Sequence, residues 1–206
     1  MLTRRRFVIC IGALAIPLRA LAQQQAARTF RIGFLLPGSV SAFASRLTAF
    51  KQRLTELGHV EGKNFVIEYR WADGKYERLP GLAAELVQLK PDVIVTLSTP
   101  PTQAVQKATS TIPIVMVSVG NPVEAGLVAS LARPGGNTTG VGNFVGDTSA
   151  KQLDLLAATI SKLSRVAVLF NPANPSSEGI FKSVQAASQV VGVRILPVRA
   201  RTAEEI

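Results

Sequence analysis

Short apolar runs alternate with amphipathic stretches from Ile32 to the end of the chain. Ile32 to Leu36 reads as a buried strand closed by Pro37 and Gly38. Phe43, Leu47, Phe50, Leu54 and Leu57 then recur at spacings of four and three, one face of a helix that stops at Gly58. Phe65, Ile67, Tyr69 and Trp71 alternate with Glu68 and Arg70, a half-exposed strand toward a sheet edge. Leu79, Leu82, Leu86 and Leu89 mark the next helix, closed by Lys90 and Pro91. Val93 to Thr96, Thr102 to Ala108 and Ile114 to Val117 follow as strand, short helix and strand. This βαβαβαβ order winds, through right-handed crossovers, into a parallel sheet covered by helices on both faces.

Beyond Val117 the pattern changes. Val123 to Leu131 is expected to be helical, and residues 133–137 form a turn rich in breakers. A second α/β unit is then expected: strand Thr139 to Phe144, helix Ser149 to Leu163, strand Val166 to Phe170, helix Ser177 to Val191 and strand Arg194 to Val198. A further helix is expected to begin at Thr202. These expectations divide the chain into a first lobe over 29–120 and a second, incomplete lobe over 121–206.

The N-terminus carries a different signal. Arg4, Arg5 and Arg6 precede an apolar stretch from Phe7 to Leu18, and the small residues Ala20 and Ala22 flank Leu21, the pattern of an export signal cleaved after Ala22. The stretch is far shorter than the roughly 20 residues that span a bilayer as a helix, so no membrane anchor is expected. Thr3 to Val8 also resembles a twin-arginine address. Cleavage would remove the single cysteine, Cys10, and four of the 23 basic residues, lowering the net charge from +10 to +6. Without a thiol there is no disulfide and no cysteine nucleophile. The remaining charges are scattered, with none of the basic runs or interleaved aromatics of nucleic-acid binders, so no nucleic-acid partner is expected.

Ligands of open α/β sheets bind beyond the carboxyl ends of the strands. Here those ends are residues 37–41, 97–103, 118–122, 142–144 and 171–177, and all five lack ionisable side chains. They offer hydroxyls, amides and backbone N–H groups, several at expected helix starts, where an unpaired N–H suits an anion. Plain helix capping uses the same residue types. No catalytic or metal constellation accompanies them. His59 lies in a polar connection without a partner, and Asp147 and Asp154 are isolated. Gly140, Gly142 and Gly146 only superficially suggest a dinucleotide loop, because they start within a strand and the third is displaced. No cofactor is expected.

Five segments carry a more specific likeness: Ser98 to Ala104, Gly120 to Val128 with Ser130 and Leu131, Arg133 to Gly140, Gln152 to Leu155, and Val168 to Pro172. On these the chain resembles the ABC-transporter substrate-binding proteins that include tryptophan- and tyrosine-binding members. The resemblance implies an α/β type I periplasmic-binding fold, with two Rossmann-like lobes that close on a small, amino-acid-like ligand. It also implies delivery to a membrane permease driven by an ATPase, in the periplasm, by a monomer that is not an enzyme. Carried over by position, the ligand-binding candidates are Ser98, Thr99 and Thr102 in one loop and Asn171, Asn174, Ser176 and Ser177 in another, with Ser39 and Asn121 beside them. Phe43 or Phe144 would supply an aromatic cover, although core packing suits either. A receptor's ligand-sensing domain shares the fold, and an exported α/β enzyme is the remaining alternative.

Overall fold

The computed structural model describes residues 29–143, 145–202 and 205–206. The export signal, Cys10, Phe144, and Ala203 and Glu204 of the last expected helix lie outside the described residues.

Five parallel strands form the first sheet: β1 (Phe30–Leu36), β2 (Phe65–Trp71), β3 (Val93–Leu97), β4 (Ile114–Gly120) and β5 (Thr138–Asn143), in the order β2-β1-β3-β4-β5. Helices α1 (Val40–Glu56), α2 (Leu79–Gln88) and α3 (Thr99–Ala108) connect the first four strands. Alternation along each strand sends neighbouring side chains to opposite faces. Phe34 and Leu36 pack with Phe43 of α1, joined by Phe50, Trp71 and Val95. Leu35 and Ile94 pack with Leu82 and Leu86 of α2 and Val105 of α3. Leu35, Leu86, Ile94 and Ile114 are fully buried, and each such side chain contributes about 1.5–3 kcal/mol. The helices thus cover both faces, and strand order reverses between β1 and β3, the switch point where open α/β sheets hold ligands.

Two expectations need correction. Residues 123–131 are not a helix but a chain of turns. One turn closes with Ala125 N–H on the Asn121 carbonyl and ends at Gly126, whose φ is +67°. Leu127 and Val128 then bury side by side against Met116 and Val119, a packing that helical spacing would not allow. The strand expected to open the second unit also belongs to the first sheet, as β5. Asn137 fastens it there, donating through Nδ2 to the Ile112 carbonyl at 2.7 Å and accepting Ile114 N–H at 2.8 Å.

The second unit consists of α4 (Val145–Thr159), β6 (Arg165–Phe170), α5 (Pro175–Val191) and β7 (Arg194–Arg199). Strands β6 and β7 pair in parallel. The two helices pack on each other and on one face of the pair, burying Leu153, Val184 and Val193 with Val166, Val168 and Ile195. Helix α4 starts four residues before the expected Ser149. Helix α5 ends as its sequence requires, with Gly192 as a left-handed cap at φ 72°.

Gly140 sets the seating of β5 on β4. Its φ is +144°, and any Cβ would be driven into the Met116 carbonyl. Gly140→Ala should therefore loosen the β4–β5 pairing and lower stability by about 3 kcal/mol or more, read as an earlier urea midpoint.

Candidate functional site

The carboxyl ends of β3, β4 and β5 meet the N-terminus of α5 in a crease between the two units. Three of its non-glycine residues have positive φ: Ser98 (71°), Ser118 (55°) and Asn121 (29°). Ser98, with ψ 171°, occupies a region that is essentially glycine-only and costs about 1–3 kcal/mol. Neighbours hold it there. Ser98 N–H donates to the Val117 carbonyl at 2.9 Å, and its own carbonyl accepts from Thr102 Oγ1 at 2.7 Å. Strain of this kind persists where surrounding structure over-determines it, and it clusters at ligand clamps.

Ser118 sits where the β4–β5 register slips between Val117 and Val119. Its hydroxyl accepts from Asn143 Nδ2 at 3.1 Å. Asn143, the last residue of β5, also accepts Asn121 N–H on its main-chain oxygen at 3.0 Å. Asn121 in turn accepts the Glu124 N–H on Oδ1 at 3.4 Å.

The second unit reaches this crease through Ser176. Its hydroxyl lies 2.6 Å from Thr99 Oγ1 and 3.3 Å from the Gly120 carbonyl. Gly120 makes the approach possible: a Cβ there would lie 2.9 Å from Ser176 Cβ and 3.0 Å from Ser176 Oγ. The constraint is space rather than backbone, because Gly120 is not among the positive-φ residues.

The other candidates separate by what their side chains hold. Thr102 Oγ1 is buried and engaged inward, 2.8 Å from Thr96 Oγ1 as well as on the Ser98 carbonyl. Asn174 caps α5, accepting Ser176 N–H on Oδ1 at 3.1 Å, while Ser177 N–H donates to its carbonyl at 2.9 Å. Asn171 accepts Ala173 N–H at 2.8 Å and donates to the Arg201 carbonyl at 3.4 Å. Ser39 Oγ is 3.0 Å from Ser41 Oγ. None of the bonds of Ser39 or Asn171 reaches the crease. Helix-end donors are also fewer than the loop composition suggested. Pro100 and Pro101 delete two N–H groups at the start of α3, and Pro175 deletes one in α5. Phe43 is core, stacked against Trp71 at 6.4 Å.

Sequence reasoning did not single out Ser118, Gly120 and Asn143, which the structure brings into the crease. All three lay in the strand-end segments, but nothing in their spacing marked the slipped register or the 77-residue reach of Ser176 to Thr99. Gly142 is explained by Pro122, whose Cδ lies 2.8 Å from where a Cβ would be.

Perturbed titrating groups lie outside the crease. Burial raises the Tyr76 phenol, and the Glu61 carboxylate, 2.8 Å away, raises the Lys51 ammonium against a smaller effect of burial. Tyr76 lines a cavity of about 390 Å³ with Pro100, Gln103 and Lys107 of α3 and with Ala173 and Pro175 of the second unit. Among the described residues no three His, Cys, Asp or Glu side chains group as metal ligands. No described helix is long and apolar enough to cross a membrane.

A doubly wound parallel sheet, a second α/β unit and a strained crease between them, with strand-end loops free of ionisable side chains and the Glu124 carboxylate reaching α5 near Gly179, define a periplasmic-binding-protein-like α/β fold. Residues 37–206 match the family of ABC transporter substrate binding proteins, and the chain belongs to it. The family is one of binding proteins rather than enzymes, and it acts outside the cytoplasm. The chain is 35% identical over 129 residues to a tyrosine-binding protein of Clostridioides difficile, covering 63% of this chain and 37% of that protein. A conserved domain protein of Vibrio cholerae superposes with a TM-score of 0.79 at 26% identity, over 86% of this chain and 60% of that one. A domain from Streptococcus pneumonia in complex with L-Trp gives 0.76 at 23% identity, over 86% and 59%. The chain thus spans less than two thirds of the length of each of these relatives.

Gly120→Ala should push the α5 N-terminus off β4, costing about 1–3 kcal/mol and speeding amide exchange around Ser176. Adding Ser176→Gly removes the opposing Cβ and should recover part of the lost stability, though not the Thr99 hydrogen bond that the serine hydroxyl makes. A double variant no better than Gly120→Ala would place the strain elsewhere.

Proposed function

We propose that this protein is the solute-capturing component of an ABC importer, closing two lobes on a small zwitterionic ligand of the amino-acid class. The first lobe would carry the five-stranded sheet, with β5, and the second would begin with α4. The observation that carries this reading is the crease itself: strand-end loops without ionisable side chains, strained at Ser98, Ser118 and Asn121, and bridged by Ser176. Fixed dipoles without a net charge suit a ligand whose own charges sum to zero. The tyrosine-binding relative and the L-Trp complex support the amino-acid class.

The expected site is Ser98, Thr99, Asn121 and Ser176, with Ser118 and Asn143 added. Asn174 and Thr102 position those residues, and Ser39, Asn171 and Ser177 stand at its margins. Capture works by population shift: contacts from both lobes exist together only in the closed form, so a ligand that uses both stabilises closure. Delivery would pass to a membrane permease and its ATPase. The protein would act as a periplasmic monomer, exported by the segment 1–22.

Thermal unfolding of the full-length mature protein tests the ligand class. At a hundredfold excess over Kd, L-tyrosine or L-tryptophan should add about 2.7 kcal/mol, a rise of about 5–10 °C in Tm. Stabilisation by sugars or divalent metals, with none by amino acids, would contradict the reading.

A further inference from the structure

The cavity that Tyr76 borders is built on helices rather than on strand ends. It follows the trough between α2 and α3, where Leu79, Pro80 and Ala84 face Pro100, Ala104 and Lys107. Positions 100, 104 and 107 share one stripe of α3. A second stripe of the same helix is already engaged elsewhere. Thr102 Oγ1 bonds to Ser98 and Thr96, and Gln106 Nε2 donates to the Leu127 carbonyl and to Thr138 Oγ1, both at 2.8 Å. From Pro100 to Lys107 the stripe rises about 10 Å along the helix, so the cavity is a slot that runs away from the crease.

One end of the slot meets the second unit, where Ala173 and Pro175 line it with Pro100. Pro100 and Pro175 are the chain neighbours of Thr99 and Ser176, so the 2.6 Å contact between those two hydroxyls stands between slot and crease. The other end carries Lys107. No carboxylate lines the slot, and Lys107 takes part in none of the ion pairs among the described residues. An unmatched cation at the end of an apolar slot of about 390 Å³ suits a single anion with an aliphatic body. A zwitterion would set its own ammonium beside the Lys107 cation.

We propose that this slot is a second binding site, for a short aliphatic monocarboxylate whose carboxylate pairs with Lys107 and whose tail lies between Pro100 and Pro175. The tail's contacts with Ala173 and Pro175 exist only while the second unit is docked. The bound acid therefore favours the closed form and raises affinity for the captured solute. This coupling rests on the closure-driven capture described above, whereas binding at Lys107 does not.

Calorimetry on the full-length mature protein tests this with hexanoate, its neutral isostere hexanamide, and L-tyrosine. Hexanoate should bind about 3- to 10-fold more tightly than hexanamide, and Lys107→Gln should erase that difference. Ala84→Trp, at an exposed position on α2, should fill the slot and abolish binding of both while tyrosine still binds. Saturating hexanoate should tighten tyrosine binding about fivefold or more, and tyrosine should tighten hexanoate by the same factor. Hexanoate that binds no better than hexanamide, or keeps its affinity in both variants, overturns the site. Hexanoate that displaces tyrosine lies in the crease and overturns it too. Binding of both with no mutual effect leaves the site and overturns its coupling to closure. If hexanoate behaves as expected but no amino acid binds, the site stands and the amino-acid reading falls.

Discussion

The Ser176 hydroxyl, held at 2.6 Å from Thr99 Oγ1 over a residue with no side chain, joins the two halves of this molecule. The contact depends on local detail on both sides. On the first sheet, β4 must end in glycine, and Thr99 must be presented by the Ser98 turn. On the second unit, Asn174 must cap α5 so that Ser176 stands at its first turn. Individually these are ordinary devices of α/β proteins. Together they bring two units, far apart in sequence, to the distance that the Ser176 contacts with Thr99 and Gly120 allow.

Strand-end loops without ionisable side chains suit a small zwitterion. A buried charge without a partner is costly, so a site lined by ionisable groups must match each one with the ligand or neutralise it. Dipoles avoid that demand and still discriminate, because a ligand that fails to satisfy them leaves polar atoms unpaired. The strained backbone at Ser98, Ser118 and Asn121 fits this economy. Rigid, preset polar groups lose little entropy on binding. The cost of holding them is met by the sheet core beneath, where Ile94, Ile114 and Val119 are fully buried.

Much of the scaffold was legible in the sequence because periodicity reports burial. The run Ile32 to Leu36, the Phe43 to Leu57 face and the Gly192 stop all correspond to observed elements. Two segments were misread for physical reasons. Val123 to Leu131 has apolar residues at helical spacing, but the left-handed Gly126 ends the first turn and adjacent Leu127 and Val128 both bury. Strand β5 carries two glycines whose purpose is close approach to Met116 and Pro122, a relation that only the folded sheet reveals. The site followed the same rule. The candidate loops stand out by uncharged composition at strand ends, and Asn174 is the helix cap that its residue type favours. The role of Gly120 and Asn143 depends on what lies opposite them, and spacing along one chain does not encode that.

The central claim is that ligand is held by closure of the second unit onto the first across Ser176. Spin labels at exposed Lys107→Cys on α3 and Lys182→Cys on α5, with any other cysteine replaced, would report it directly. With the full-length mature protein, addition of L-tyrosine should convert a broad distance distribution into a single narrow one at its short end. An identical distribution with and without ligand, under conditions where binding is saturated, would contradict the account.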